Sequence, residues 1–324
     1  MTPSPHVLRH VIDCIAPASA SHAEGARHRV AAAAAPLLEQ LAMTLGGAQH
    51  TTRPRATHRT IVVCAGDHGV GDPGISLGAA HPTVVSARAI ADGSAALSQV
   101  AMVGRASIVL VDAGVAEPTA MPRSTVQLAR GPSRNFMHEP AMTRNDATRG
   151  LEAGIALAVA LVDNGLDVLV VGALGVGADV ASAALLGASL GPEHLPHFED
   201  SLANGALARG AAVATCGGLE LLAAFGGQET AVLTGVLLGA ASMNVPSVLD
   251  GYATGAAALV AAALAPTVTG YFIAAHRGTF TQPHILARLG LTPVFDVGLG
   301  HGEGTGAAMV LPLIEQVTTL AGTK

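Results

Sequence analysis

Aromatic and basic residues are scarce in this chain. It has no Trp, two Tyr and six Phe, and its 17 Lys and Arg are outnumbered by 23 Asp and Glu. Nucleic-acid binding requires a basic surface and usually aromatic side chains on which bases stack. The composition, with a formal net charge of −6, therefore argues against a nucleic-acid partner.

Cysteine is scarce as well. Cys14, Cys64 and Cys216 lie far apart and form no C-x-x-C pair, which argues against a disulfide framework and against a thiolate metal site. We expect buried free thiols. The 14 histidines show no H-E-x-x-H or comparable spacing, so no metal site is predicted.

Long apolar runs are missing, although half of the residues are hydrophobic and the mean hydropathy is +0.48. Ala and Gly supply much of that value, and no purely apolar run reaches the length of a membrane span of roughly 18 residues. The N-terminus lacks a basic segment followed by an apolar one, the pattern of a secretory signal. These features predict a soluble cytoplasmic protein with no membrane partner.

The length of 324 residues fits one large α/β domain with an appendage. A helical pattern over Ala23–Leu45 ends at Gly46-Gly47 and is followed by a polar link that reaches Arg55. We therefore predict an N-terminal helical appendage over residues 1–55 and an α/β domain over residues 56–324. The C-terminal helix, residues 305–321, could join the helical part.

Short apolar runs alternate with helix-length segments after residue 55. Continuous apolarity is typical of strands buried on both faces, and intervening helices are what a parallel sheet requires. The pattern predicts a doubly wound α/β fold of about six mostly parallel strands. The predicted strands are Thr60–Ala65, Ser107–Asp112, Val168–Gly172, Ser247–Asp250, Tyr271–Ala275 and Pro293–Val297.

Polar residues and glycines follow these runs directly. Asp67 and His68 come after the first run, Asp250 after the fourth and His276 after the fifth. Ligands of such sheets bind at the carboxyl ends of the strands, so these side chains are predicted to converge on one site. Asp67 and His68 could also serve only to stabilise their loop. The long segment from 116 to 146 is predicted to be a lid or a subunit contact.

The stretch Gly298–Gly306 has five glycines in nine residues and one carboxylate, Glu303. It lies between a predicted strand and a helix predicted over Ala307–Val317. Glycine permits positive φ, and the first amides of a helix are free to bind an anion. Glu303 is therefore predicted to stand at the edge of a binding site. Its other interpretation is a glutamate stabilised by the helix dipole.

Several motifs together resemble the nicotinate-nucleotide:dimethylbenzimidazole phosphoribosyltransferases of cobamide lower-ligand synthesis. Their order matches that family over roughly residues 60–312. The two most specific are A-G-D-H-G-V, residues 65–70, and G-E-G-T-G-A, residues 302–307. The other matching pieces are G-I-S at 74–76, V-D-A-G-V at 111–115, P-A-M-T at 140–143, G-G-Q-E-T-A at 226–231, V-L-D-G at 248–251 and A-H at 275–276.

The resemblance implies a Rossmann-like six-stranded sheet, a helical subdomain from both termini, a homodimer, and no metal or redox cofactor. It implies transfer of phosphoribose from nicotinate mononucleotide to a benzimidazole, giving α-ribazole phosphate, with Glu303 as the general base. Proton removal by a positioned carboxylate contributes on the order of 10²–10⁴ in rate. The implied substrate-binding residues are Asp67, His68, Ser76, Gly175, Gly177, Asp250, His276, Gly302, Gly304 and Thr305.

The chain departs from the family on the nucleotide side. Residues 172–180 read G-A-L-G-V-G-A-D-V where the family usually has G-E-M-G-I-G-N-T-T, and Asp179 adds a negative charge where a phosphate is expected. A position that the family usually fills with Gln is Val85 in this chain. The family's G-R-G-T-G loop has no counterpart between Gly187 and Arg209.

These departures leave two alternatives beside the family reaction. The first is a diverged paralogue with a different ribosyl donor or azole acceptor, in which Arg130, Arg134 or Arg277 supplies the lost anion contacts. The second is a non-catalytic subunit that pairs with a competent homologue. Glu229 is predicted only to cap or pair on its own helix.

Overall fold

A computed structural model describes residues 6–31, 35–71, 74–191, 217–278, 281–296, 299 and 302–322. Its strands are β1 Arg59–Ala65, β2 Ser107–Ala113, β3 Val126–Ala129, β4 Val168–Leu174, β5 Ser247–Leu249 and β6 Phe272–Ala274. Its helices are α1 His6–Cys14, α2 Ala20–Val30, α3 Pro36–Ala48, α4 Pro82–Asp92, α5 Ala96–Val103, α6 Arg144–Asp163, α7 Ala178–Leu190, α8 Gly218–Phe225, α9 Gln228–Ser242, α10 Tyr252–Leu264, α11 Gln282–Leu289, α12 Thr305–Ala308 and α13 Leu311–Gly322.

The six strands form one sheet in the order β3-β2-β1-β4-β5-β6, and every strand pairing is parallel. The predicted α/β fold class is confirmed. The chain leaves β1 towards one edge through β2 and β3, then returns to β4 and proceeds to the other edge. The order therefore reverses between β1 and β4, which is where ligands bind in sheets of this kind.

Helices cover both faces of the sheet. Alternate residues of a strand point to opposite faces, so each strand contributes side chains to both cores. Val62 and Cys64 of β1 belong to a core with α1, α6, α8, α9 and α10, whereas Ile61 and Val63 belong to a core with α2 to α5, α12 and α13. Small residues bring α6 and α9 into close contact. A Cβ atom on Gly154 of α6 would lie 2.0 Å from the carbonyl oxygen of Val232 in α9.

Five of the six predicted strands are confirmed, and the sixth is wrong. Val294 and Phe295 donate backbone hydrogen bonds to Ala274 and Ala275, but Phe295 forms only an isolated bridge with His276. Pro293 has no amide hydrogen to donate to a ladder, and Val297 lies outside the described residues. The strand of the sheet that was not predicted is β3, which lies inside the segment predicted to be a lid or subunit contact. Its four residues are half-exposed at the sheet edge, so they lack a buried strand's pattern.

Two predicted helices are each divided at a proline. The pattern over Ala23–Leu45 is two helices, and Pro36 stands in the first turn of the second. The C-terminal helix is also two, α12 and α13, with Pro312 in the first turn of α13. Proline lacks the amide hydrogen of a helix interior and clashes with the preceding turn, so it favours a new start.

The terminal helices pack together. The C-terminal helix α13 contacts α2 and α3, and residues of all three share one core with the sheet. We propose on this basis that α2, α3 and the C-terminal helix α13 form one helical layer beside the α/β part, whereas α1 packs on the opposite face against α6 and α9.

The cysteines differ in environment. Cys64 is a buried free thiol, as predicted, and burial raises its pKa well above the usual value. The prediction is wrong for Cys14, which is exposed at the end of α1. Cys216 lies outside the described residues.

Candidate active site

Asp67 joins the loops at the reversal of strand order. It follows β1 and is buried. Its Oδ1 accepts hydrogen bonds from the amide of Val176, at 2.8 Å, and from the hydroxyl of Thr83, while its Oδ2 accepts one from the amide of Ala116, at 2.8 Å. One carboxylate thus connects the loops after β1, β2 and β4 with the start of α4. This geometry supports the loop-stabilising interpretation of Asp67.

His68 lies in a buried row of three side chains. Its Nε2 is 3.1 Å from Oε1 of Glu229, and its Nδ1 is 3.1 Å from the hydroxyl of Ser133. Glu229, in the first turn of α9, therefore pairs with His68 on the loop after β1 and also accepts a hydrogen bond from the hydroxyl of Thr230 on its own helix, at 2.7 Å. Burial favours the neutral imidazole, but the Glu229 carboxylate outweighs it, so the pKa of His68 is raised above its ordinary value of 6.5. Burial likewise disfavours the Glu229 charge, yet His68 holds the pKa of Glu229 below its ordinary value of 4.5.

The His68–Glu229 pair predicts a pH-dependent contribution to stability. The raised pKa of His68 gives stability that is complete below pH 6.5 and is lost as the pH rises through the folded-state pKa. The lowered pKa of Glu229 gives stability that is present above pH 4.5 and is lost as the pH falls through its folded-state pKa. The pair is therefore most stabilising between these two values.

We expect Glu229→Gln to lower the free energy of unfolding by roughly 1–3 kcal/mol more at about pH 5.5 than at about pH 9. Urea unfolding at both pH values measures the difference. Glu139→Gln, which removes an exposed partner of Arg134, is the control and should show no such dependence. An equal loss at both pH values in Glu229→Gln would contradict the pairing.

Ser76 is held by a carboxylate from another loop. Its hydroxyl donates to Oε1 of Glu117, and the amides of Leu77 and Gly78 donate to the same oxygen at 3.0 and 3.1 Å. These hydrogen bonds, that of Ser76 first, lower the pKa of Glu117. The hydroxyl proton of Ser76, a predicted substrate-binding residue, therefore has a protein partner.

A pocket opens between these loops, at the carboxyl ends of β1, β2 and β4. His81 is buried in the pocket wall. Its Nδ1 lies 3.8 Å from Oδ2 of Asp67 and has no hydrogen-bond partner in the described part of the chain. Gly175 and Gly177 form the turn behind it at φ values of +157° and +82°. The residues that line it are Asp67, His68, Ile75, His81, Ala116, Glu117, Pro132 and Val176.

Glu303 lies in a strained turn on the other side of β4. Gly302, Glu303 and Gly304 have φ values of +72°, +60° and +96°, a region that residues with a side chain rarely occupy. The turn rests on the sheet, because a Cβ atom on Gly172 of β4 would lie 2.1 Å from the carbonyl oxygen of Glu303. The sheet thus fixes the backbone that carries the candidate base. Gly298, Gly300 and His301 of this stretch lie outside the described residues.

Asp250 and His276 lie beneath that turn. The Asp250 carboxylate accepts hydrogen bonds from the amides of Gly304 and Ala307, both at 2.9 Å, and Nε2 of His276 is 3.5 Å from its Oδ1. Thr305 is buried, and its hydroxyl has no partner within the described ranges.

The predicted site residues therefore fall into two groups along the carboxyl edge of the sheet. Asp67, His68, Ser76, Gly175 and Gly177 surround the pocket at β1 and β4. A second group surrounds the start of α12 and contains Asp250, His276, Gly302, Glu303, Gly304 and Thr305. Strand β4 and the loop after it connect them, since Gly172 of the strand contacts the Glu303 turn and Val176 of the loop lines the pocket. Their assigned roles stay predictions.

Sequence reasoning missed Glu117, His81, Thr83 and Ser133. Glu117 had a usable signal, because it follows the second predicted strand, where a ligand-binding side chain is expected. The other three had none, since they lie in segments whose path depends on tertiary contacts. The candidate arginines Arg134 and Arg277 each face a carboxylate, Glu139 at 2.8 Å and Asp296 at 3.1 Å.

A model of a family described as phosphoribosyltransferase matches residues 15–323. The chain belongs to this family. The phosphoribosyltransferase from Roseiflexus sp. (strain RS-1), named nicotinate-nucleotide–dimethylbenzimidazole phosphoribosyltransferase, is 38% identical over 300 residues, which cover 86% of this chain and 83% of the relative. A Chloroflexus aggregans relative with the same name is 34% identical over 330 residues, covering 95% and 93%.

The phosphoribosyltransferase fold is shared with solved structures as well. A crystal structure of CobT from Thermus thermophilus superposes with a TM-score of 0.82 at 31% identity, covering 93% of this chain and 96% of that one. The resemblance inferred from the motifs is confirmed. Within the described residues, no helix is long and apolar enough to span a membrane, and no cluster of three metal-ligating side chains occurs.

Proposed function

We propose that this phosphoribosyltransferase transfers phosphoribose from nicotinate mononucleotide to a benzimidazole-like base and forms α-ribazole phosphate. The observation that carries the proposal is the Glu303 turn: a carboxylate held at positive φ on the carboxyl edge of β4. The relatives' shared name supplies the substrate pair.

The proposed chemistry follows from the weak nucleophilicity of the benzimidazole acceptor. A neutral benzimidazole is a weak nucleophile, and Glu303 is proposed to accept its N–H proton as the other ring nitrogen forms a bond to C1′. The C1′–N bond to nicotinate breaks, and its electron pair neutralises the pyridinium nitrogen. Attack on the face opposite the leaving group converts a β-linked donor to an α-linked product, which accounts for the α configuration.

The purified protein, incubated with nicotinate mononucleotide and dimethylbenzimidazole, should release nicotinate and form the nucleotide product in equal amounts. Liquid chromatography with mass detection measures both. The proposal is wrong if no product forms even with enzyme at the concentration of the substrates.

A second candidate function is the same transfer from a donor that lacks the phosphate. Asp179 is exposed in the first turn of α7, two residues after Gly177, and its charge opposes an anion there. Nicotinate riboside is therefore run beside the mononucleotide. Consumption of the riboside alone would select the second candidate, and activity that appears only after mixing with a competent homologue would indicate a partner subunit.

We also propose a homodimer in the cytoplasm. Support for the dimer is an exposed apolar end of α5, where Met102 and Val103 are 68% and 73% exposed. Light scattering after gel filtration measures the mass, and a monomer at micromolar concentration would contradict the dimer.

A further inference from the structure

Asp250 directs its carboxylate at the loop that carries Glu303. It follows β5 and is 2% exposed. Its Oδ2 accepts the amide of Gly304, the residue after Glu303, and its Oδ1 accepts the amide of Ala307, both at 2.9 Å. Both oxygens are thus engaged by the backbone at the start of α12. A carboxylate there also satisfies amides that lack helical partners.

Asp250 has two further contacts. The amide of Asp250 donates to the hydroxyl of Thr254 at 3.0 Å, and Nε2 of His276 is 3.5 Å from Oδ1. Gly306 leaves room for this arrangement, because a Cβ atom there would lie 2.7 Å from Oδ1 of Asp250 and 2.8 Å from Nε2 of His276. The carboxylate therefore has little freedom to move with the loop or to turn towards a ligand.

The loop needs such support. A residue other than glycine at a φ of +60° is in a sparsely populated region, which persists only when its surroundings hold it. Gly172 of β4 packs against the carbonyl oxygen of Glu303, and Asp250 accepts a hydrogen bond from the amide of Gly304. Both contacts act on the same peptide unit, the one that joins Glu303 to Gly304.

We propose that Asp250 is a positioning residue, not a substrate-binding one, and that it aligns Glu303 by holding the amides of Gly304 and Ala307. The inference rests on the proposed function for its catalytic meaning. It replaces the substrate-binding role predicted for Asp250, because both of its oxygens already accept backbone hydrogen bonds.

The variant Asp250→Asn tests the assignment while keeping the side chain's size. Asparagine has one acceptor oxygen, so its NH₂ group would face one of the two amides. A displacement of Glu303 by about 1 Å costs on the order of 10²-fold in rate. We expect kcat to fall by roughly 30–100-fold and both KM values to change by less than about 3-fold. Gly306→Ala, whose added Cβ would lie 2.7 Å from Oδ1 of the same carboxylate, should reproduce this pattern.

Thr234→Val is the matched control. Thr234 is fully buried in α9, and its hydroxyl donates to the carbonyl oxygens of Thr230 and Ala257, away from the Glu303 loop. The variant should lose stability and keep kcat. A kcat loss in Thr234→Val as large as that in Asp250→Asn would reduce Asp250 to a structural role. A raised KM with unchanged kcat in Asp250→Asn would make it a substrate ligand.

Hydrogen exchange tests the same loop without activity. In Asp250→Asn, the amides of residues 304–307 should exchange at least about 10-fold faster than in the wild type, while Thr234→Val leaves them unchanged. If the wild type forms no product, the proposed function fails, and exchange still decides whether Asp250 holds the loop. Unchanged exchange in Asp250→Asn would overturn the assignment.

Discussion

Glu303→Gln is expected to lower kcat by roughly 10²–10⁴-fold, the contribution of a positioned general base. Glutamine keeps the size and the backbone conformation of the turn but has no carboxylate to accept the azole proton. The benzimidazole must then attack while it still carries that proton. Initial rates of nicotinate release at saturating substrates measure the loss.

Two variants define how that result is interpreted. Glu303→Asp keeps a carboxylate that is one methylene shorter, and it should retain more activity than Glu303→Gln. Glu139→Gln changes an exposed carboxylate far along the chain and should leave kcat unchanged within about 2-fold. Activity of Glu303→Gln within a few-fold of the wild type would mean that another group accepts the proton.

The largest loss of stability is expected for Asp67→Ala. The substitution removes the acceptor of the Val176 and Ala116 amides and of the Thr83 hydroxyl in a buried site. The Val176 amide keeps a second acceptor, the hydroxyl of Thr83 at 3.3 Å, so the Ala116 amide and the Thr83 hydroxyl are the donors left without a partner. A buried donor without a partner costs about 1–3 kcal/mol, so the free energy of unfolding falls by roughly 2–6 kcal/mol. Urea unfolding measures the change.

The exposed Asp163 at the end of α6 provides the comparison for Asp67. Asp163→Ala should change stability by less than about 0.5 kcal/mol. If Asp67→Ala stays as stable as the wild type and loses substrate affinity instead, Asp67 is a ligand-binding residue and the loop-stabilising interpretation is wrong.

Strand prediction succeeded where burial dictates composition. Strands β1, β2 and β4 lie inside the sheet with helices on both faces, so their buried residues are mostly apolar and consecutive, and this pattern is visible in the sequence. Strand β3 has a half-exposed edge position and no such requirement. Val294 and Phe295 are apolar and partly buried beside β6, yet Phe295 makes only a bridge. The same composition thus arises from two different environments.

The sequence allowed us to predict which residues stand at the strand ends of the site, but not which residues they bond to. Glu303 is identifiable from its glycine-rich turn, and Asp67 and Asp250 from their places after apolar runs. Their hydrogen-bond partners lie far along the chain: Asp250 bonds to Gly304, 54 residues later, and Asp67 to Val176, 109 residues later. Such pairings depend on strand order, which residue patterns do not specify. His68 and Glu229, 161 residues apart, met for the same reason.

The retained Glu303 turn and the altered Gly172–Val180 loop are the two features that distinguish competing accounts of this chain. The most direct test is the anomeric configuration of the product formed by the purified protein from nicotinate mononucleotide and dimethylbenzimidazole, determined by proton NMR for the wild type and for Glu303→Gln. We predict an α-linked ribazole phosphate from the wild type and at most trace product from the variant. A β-linked product, or equal product from both proteins, would contradict displacement by an azole that Glu303 deprotonates.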